Sequence, residues 1–137
     1  MSFTIVDANI ICSGMLSKGK TIDLLFSDKI DPVAPELLFS EFESHKAEIL
    51  VKSKLPEEEF NTVFALLRKR IKVISSDEFK DKLAEANKAL FPHTKDTEYV
   101  ALALKLRCPL WSKEKLLKKL SIVEVLDANE IEKRFCL

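Results

Sequence analysis

The chain has 137 residues, of which 47% are hydrophobic and 32% charged, with 22 Lys plus Arg balanced by 22 Asp plus Glu. Only two glycines and five prolines occur, which excludes collagen-like and low-complexity chains, and the apolar share is too high for intrinsic disorder. A formal net charge of zero argues against a general polyanion binder, whose affinity comes from excess Lys and Arg, but leaves local basic patches open.

In chain order, Phe3 to Val6 is short, apolar and β-branched and breaks at Asp7-Ala8-Asn9, the pattern of a buried strand ending in a turn. A second strand is expected at Pro32 to Ala34. Pro35 then stands where a first helical turn accepts proline, and Glu36 to about Lys52 carries Leu38, Phe42 and Ile49 on one stripe. Pro56 with Glu57, Glu58 and Glu59 opens the next helix, which closes on Arg68, Lys69 and Arg70, acid first and base last as the macrodipole favours. Ile71 to Ile74 reads as strand three, and Ser75 with Glu78 as a capping box for a helix to about Leu90.

From Asp96 through Leu104 the pattern is apolar nearly all round, a helix buried between a sheet and another helix. Strands four and five are expected at Pro109 to Ser112 and Ile122 to Leu126, and Asp127 with Glu130 caps a last helix. Strand and helix alternation implies right-handed crossovers and a parallel sheet covered on both faces, a three-layer α/β/α architecture. The expectation is a single domain over residues 1–137, with about two thirds of the unfolded surface buried.

Uninterrupted apolar runs of about 18 residues are absent and the N-terminus lacks signal-peptide blocks, so a cytoplasmic protein with no membrane span is expected. Cys12, Cys108 and Cys136 show neither CxxC nor Cys/His spacing and read as incidental or buried thiols.

In open α/β sheets ligands bind beyond the carboxyl ends of strands, which directs attention to polar residues there. Asp7 follows strand one, where a turn or cap role competes with a functional one, and Asn9 is an equal candidate for the cap. Glu41 sits beside Leu37, Leu38 and His45 on the edge of a stripe that should be buried, where a lone carboxylate needs a cation, a Lys or an Arg. Asp96 opens an apolar helix, a placement that the helix N-terminus explains by itself. Glu114 follows strand four by two residues among Lys113, Lys115, Lys118 and Lys119, and an ordinary surface charge is the competing reading. If strands one and four are neighbours, these acids collect at one sheet edge, and hard oxygen donors select Mg²⁺ or Mn²⁺ over zinc.

Together these residues resemble the PIN-domain nuclease family: Ile5-Val6-Asp7-Ala8-Asn9, Glu41 within Pro35 to Glu41, Asp96 opening Asp96 to Leu104, and Leu110-Trp111-Ser112-Lys113-Glu114. The resemblance covers nearly the whole chain. It implies a five-stranded parallel sheet of order 3-2-1-4-5 and metal-dependent cleavage of RNA phosphodiesters, with Asp7, Glu41 and Asp96 as the acidic core and Glu114 completing the site. Many relatives are ribonuclease toxins, which implies an antitoxin protein partner and a homodimer. One departure stands out, since relatives usually carry Asp two residues after a Ser or Thr where this chain has Glu114.

On this reading the four acids hold one or two Mg²⁺ or Mn²⁺ ions, Ser112 bonds a ligand or a phosphate, Asn9 lies near substrate, and Lys113 and Lys115 contact the RNA backbone without reading bases. Lys113 is also a candidate partner for Glu114, His45 for Glu41, and His93 either reaches substrate or is a loop residue. Competing readings are a non-catalytic PIN-like module that binds RNA or a protein, and a two-domain or receiver-like α/β signalling protein, which also places an Asp after strand one. The latter fits worse, because strand three is followed by Ser75-Ser76-Asp77 in a helix start.

Overall fold

Five strands, β1 (Phe3–Val6), β2 (Asp31–Pro35), β3 (Lys72–Ile74), β4 (Leu110–Trp111) and β5 (Val125–Leu126), form a parallel sheet in the order β3-β2-β1-β4-β5. The computed structural model describes residues 3–16 and 19–135, so Cys136 lies outside the described residues. Between the strands run α1 (Ala8–Leu16), α2 (Lys20–Leu25), α3 (Leu37–Ser53), α4 (Glu57–Arg70), α5 (Leu83–Leu90), α6 (Thr97–Leu106) and α7 (Lys115–Lys118), with α8 (Ala128–Arg134) after β5.

Chain direction across the sheet reverses at β1. The crossovers from β1 through β3 step one way and the crossover from β3 to β4 steps back, so right-handedness puts their helices on opposite faces. Contacts agree, since α1 lies on α3 while α6 lies on β1, β2 and β4 with α5 behind it. This makes the gap beyond the carboxyl ends of β1 and β4 the switch point, where a side chain finds room between diverging loops.

Burial matches the sequence pattern closely. Ile5, Val6, Leu110 and Trp111 in the central strands are fully buried, as are Val100, Ala101 and Leu102 of α6. Each large apolar side chain so buried stabilises the fold by about 1.5–3 kcal/mol. Under α3 and α4, Phe42 stacks on Phe64 at 4.4 Å and Phe39 meets Phe64 edge-on at 5.9 Å. Arg68 covers the Phe39 ring at 4.9 Å while pairing with Glu43 at 3.6 Å, a stem used as packing and a head left wet.

Several boundaries differ from expectation. Pro35 ends β2 instead of opening α3, paired in register with Ile74, and Glu36 takes the position before the helix. The Ser75 hydroxyl accepts from the Asp77 N–H at 3.4 Å, but it opens two 3-10 turns, 76–78 and 80–82, and α5 begins only at Leu83. Phe79 explains the break: it is fully buried between those turns, which a continuous helix would carry to a different face. Strand five begins only at Val125, and the Asp127 and Glu130 capping box is formed as expected.

Arg70 does more than complement the end of α4. Its guanidinium, half-buried, donates to the carbonyls of Leu25, Ser27 and Ile30, which closes the turn between α2 and β2. Arg70→Met should therefore lower stability by about 2–3 kcal/mol in urea unfolding, because it strips a charged donor from several carbonyls at once. Lys29→Met, on the exposed surface of the same turn, should cost less than about 0.5 kcal/mol.

Candidate active site

Register fixes the core of the site. Val6 pairs with Trp111, so the next residues, Asp7 and Ser112, leave neighbouring parallel strands side by side. Both are buried, Asp7 with 2% of its surface exposed. One Asp7 oxygen accepts from the Ile10 N–H at 3.1 Å, so it does cap α1, and the other accepts from the Ser112 hydroxyl. Ser112 Oγ in turn accepts from the Glu114 N–H at 3.0 Å. A single hydroxyl thus fixes both the acid of β1 and the turn that carries the acid after β4.

The remaining acids approach from the helices. Glu114 accepts from the Asn9 side chain at 2.9 Å and pairs with Lys95 at 3.7 Å. Asn9 is therefore no cap; it bridges α1 to the turn after β4. Asp96 stands at the cap position of α6, yet its side chain makes no capping hydrogen bond, so the helix terminus does not account for its orientation. Glu41, half-buried on α3, accepts from the Tyr99 hydroxyl at 2.5 Å.

Electrostatics tie these residues to one another. Burial pushes the Asp7 carboxyl up to about 6; the bonds from Ser112 and Ile10 pull it back, and the charges of Asp96 and Glu114 raise it further. Burial also raises Asp96, opposed by Lys95 and helped by Glu114 and Glu41. The Tyr99 phenol is pushed well above its usual range by burial, by its bond to Glu41 and by the charges of Asp7 and Asp96. Even Cys12 on α1, raised chiefly by burial, feels Asp7 and Glu41. Two hydrogen bonds that favour the charged form of Asp7 are outweighed, which measures how unfavourable the site is for bare carboxylates.

Among the described residues, no three His, Cys, Asp or Glu side chains are gathered closely enough to hold a metal ion as they stand. The donor chemistry nevertheless fits a hard dication. All four acids offer oxygen, and burial, with the neighbouring acids adding to it, makes the charged forms of Asp7 and Asp96 unfavourable, Lys95 offsetting part of this at Asp96.

The other expected site residues are more dispersed. Lys113 is exposed and donates to Ser13 of α1 at 2.7 Å, so it does not pair with Glu114. Lys115 is exposed at the start of α7, Lys118 is spent on the Val125 carbonyl and Glu130, and His45 is exposed while Tyr99 holds Glu41. His93 and Lys119 border a cleft next to Asp96 and Glu114. Lys95 and Tyr99 went unread in the sequence. The signal for Tyr99 was available, since it is a hydroxyl-bearing aromatic inside the apolar run of α6 and lies three positions from Asp96.

A family model described as a PIN domain matches residues 5–132. The chain belongs to the PIN-domain family. No match was found among curated proteins. PIN domains are metal-dependent nucleases as a family, generally using divalent cations and acting on nucleic acid. The five-stranded sheet of order 3-2-1-4-5 with helices on both faces agrees with that membership. Among the described residues, no helix is long and apolar enough to cross a membrane.

In this PIN domain the raised Asp7 pKa fixes the sign of a pH effect. Its folded value of about 6 exceeds the ordinary value of 3.8, so its contribution to stability is fully present below about pH 4 and lost as pH rises through 6. Asp7→Asn keeps an acceptor for Ile10 and removes the charge. Without divalent cations it should raise stability at pH 7 by about 1–3 kcal/mol, with the advantage gone near pH 4. Thermal unfolding at the two pH values in a chelator checks this.

Proposed function

We propose that this PIN domain is a Mg²⁺- or Mn²⁺-dependent endoribonuclease in which Asp7, Glu41, Asp96 and Glu114 hold the cation. The observation that supports it best is the buried Asp7, raised to about 6 by burial with Asp96 and Glu114 adding to the effect. A bound cation supplies an activated water and stabilises charge on the phosphodiester oxygens.

The chain's own residues do the positioning. Ser112 locks the rotamer of Asp7, Tyr99 orients Glu41, and Asn9 with Lys95 holds Glu114 toward the site. Such outer partners fix ligands in place and typically matter 10- to 100-fold in affinity or activity. Lys113 and Lys115, exposed on the turn after β4 and the start of α7, supply positive charge for an RNA backbone, with Asn9 and Ser112 near the reacting phosphate. The four acids alone would repel RNA, so binding and cleavage both depend on the cation.

A toxin role would add an antitoxin protein partner. An adjacent short reading frame whose product blocks cleavage is the finding that would support it, and sedimentation would show whether the chain is a homodimer. A second reading, a PIN-like module that binds RNA or a protein without cutting, is favoured by the ion pair of Lys95 with Glu114, which already compensates one acid.

Titration of Mn²⁺ against cleavage of a single-stranded RNA decides between them. Asp7→Asn and Asp96→Asn should each lower the cleavage rate by about a hundredfold or more. Cleavage that survives both substitutions would end the proposal. Tyr99→Phe should raise the Mn²⁺ concentration needed for half-activity by about tenfold and leave the rate at saturating metal less affected. Because protons compete with the metal for Asp7, half-saturating Mn²⁺ should fall as pH rises through about 6 and level off above 7.

A further inference from the structure

The two edges of the sheet are finished differently. At β5 the Leu126 carbonyl accepts from the Ser112 N–H at 3.1 Å, so Leu126 turns its backbone groups to β4 and those of Val125 turn outward. There Lys118 of α7 donates to the Val125 carbonyl at 3.0 Å, and α7 and α8 pack against the strand. At β3 the Ile74 carbonyl accepts from the Glu36 N–H at 3.2 Å, so Ile74 faces β2 and the same alternation turns the N–H and C=O of Val73 outward. Neither group is bonded to another element among the described residues. Val73 is 43% exposed and Lys72 is exposed beside it. Unpaired edge groups of this kind are a template for another strand.

A cavity stands on each face of that open edge. Val73 pairs with Ala34 and points to the α3 side, while Lys72 and Ile74, paired with Val33 and Pro35, point to the α6 side. On the α6 side lies a largely apolar cavity of about 410 Å³, where Ile74, Leu102 and Leu106 meet Lys72, Glu78 and Lys105. On the α3 side, Glu36, Phe39, Ser40, Glu43, Arg68 and Val73 line one of about 250 Å³. Arg68 is committed to Glu43 at 3.6 Å and to the Phe39 ring, whereas the exposed Glu36 carboxylate has no partner among the described residues. One cavity thus suits an apolar side chain and the other a cation.

We propose that the β3 edge is a docking site for an extended segment of a partner protein, which adds to the sheet as a further strand with a Lys or Arg opposite Val73 and an apolar residue beside it opposite Ile74. Main-chain bonds to Val73 give the affinity, and adjacent side chains of the added strand, pointing to opposite faces, reach the two cavities and give the selectivity. A second copy of the chain fits less well. Pairing β3 with itself sets Val73 against Val73 and brings two acid-lined cavities to one face, with each Arg68 already engaged. None of these residues belongs to the acid site, so the docking surface stands apart from the nuclease reading.

The test uses the full chain and short fluorescent peptides. One alternates valine and lysine, a second alternates valine and glutamate, and a third is the valine–lysine peptide methylated at its backbone nitrogens. The valine–lysine peptide should bind at least about tenfold tighter than either of the others, and in amide NMR spectra it should shift the Val73 resonance and slow its exchange with solvent. Val73→Pro removes the outward N–H at an edge position where proline is tolerated, and should abolish that binding. Glu36→Lys, an exposed change outside the strand, should weaken the valine–lysine peptide about tenfold and strengthen the valine–glutamate peptide. Mn²⁺-driven RNA cleavage should be the same in both variants and the parent, so a chain that cuts no RNA removes the nuclease reading and leaves the docking surface standing. Equal binding of the two charge types to the parent, or binding that leaves Val73 exchange unaltered, would overturn the proposal. Self-association of the parent in sedimentation that is lost in Val73→Pro would assign the edge to a second copy and overturn it too.

Discussion

A carboxylate held in the interior at the end of a central strand is the constraint on which the rest of this site depends. Asp7 receives two hydrogen bonds that favour its charged form, and burial still wins, leaving the group raised to about 6. The shift corresponds to about 3 kcal/mol against ionisation. Burying Ile5, Val6, Ile10 and Trp111 around the same strand ends contributes about 1.5–3 kcal/mol for each side chain. Apolar burial around the strand ends is thus at least as large as the cost of keeping this one carboxylate in the interior.

The balanced net charge conceals how the basic residues are divided. Arg70 is committed to backbone carbonyls, Arg68 to the rings of Phe39 and Phe64, Lys118 to Glu130 and Arg134 to Glu124. Those cations maintain the structure and are poorly placed to meet a ligand. Lys95, Lys113, Lys115 and Lys119 lie in the cleft and on the turn between β4 and α7, beside the acids. Whole-chain charge averages these two populations and so underestimates what a polyanion would meet at one edge of the sheet.

Much of the fold was legible because periodicity and capping act locally. All five strands, the long helices α3, α4 and α6 and the Asp127 cap arise from patterns within a few residues. Where tertiary packing decided, the local signal failed. Pro35 suits a first helical turn, but pairing with Ile74 keeps it in β2, and burial of Phe79 divides the segment that Ser75 and Glu78 would have made one helix. The positions of the acids were readable as strand ends and helix starts. Their partners were not, because Tyr99 with Glu41 and Ser112 with Asp7 are separated by 58 and 105 residues and meet only through the sheet order.

Glu114 shows how such a long-range partner changes the meaning of a local departure. Read alone, its extra methylene relative to Asp displaces a carboxylate and counts against an organised site. In the structure the turn that carries it is pinned by the bond from its own N–H to Ser112 Oγ, the same hydroxyl that donates to Asp7. Its longer arm is then held by Asn9 from α1 and Lys95 from the loop before α6. The side chain is thus restrained at both ends by elements from either face of the sheet, at the boundary between the acids and the cleft. A shorter acid at this position would keep the backbone anchor but draw back from Asn9 and Lys95 by about one C–C bond, so the length of Glu114 is what lets one side chain meet partners from both α1 and the loop before α6.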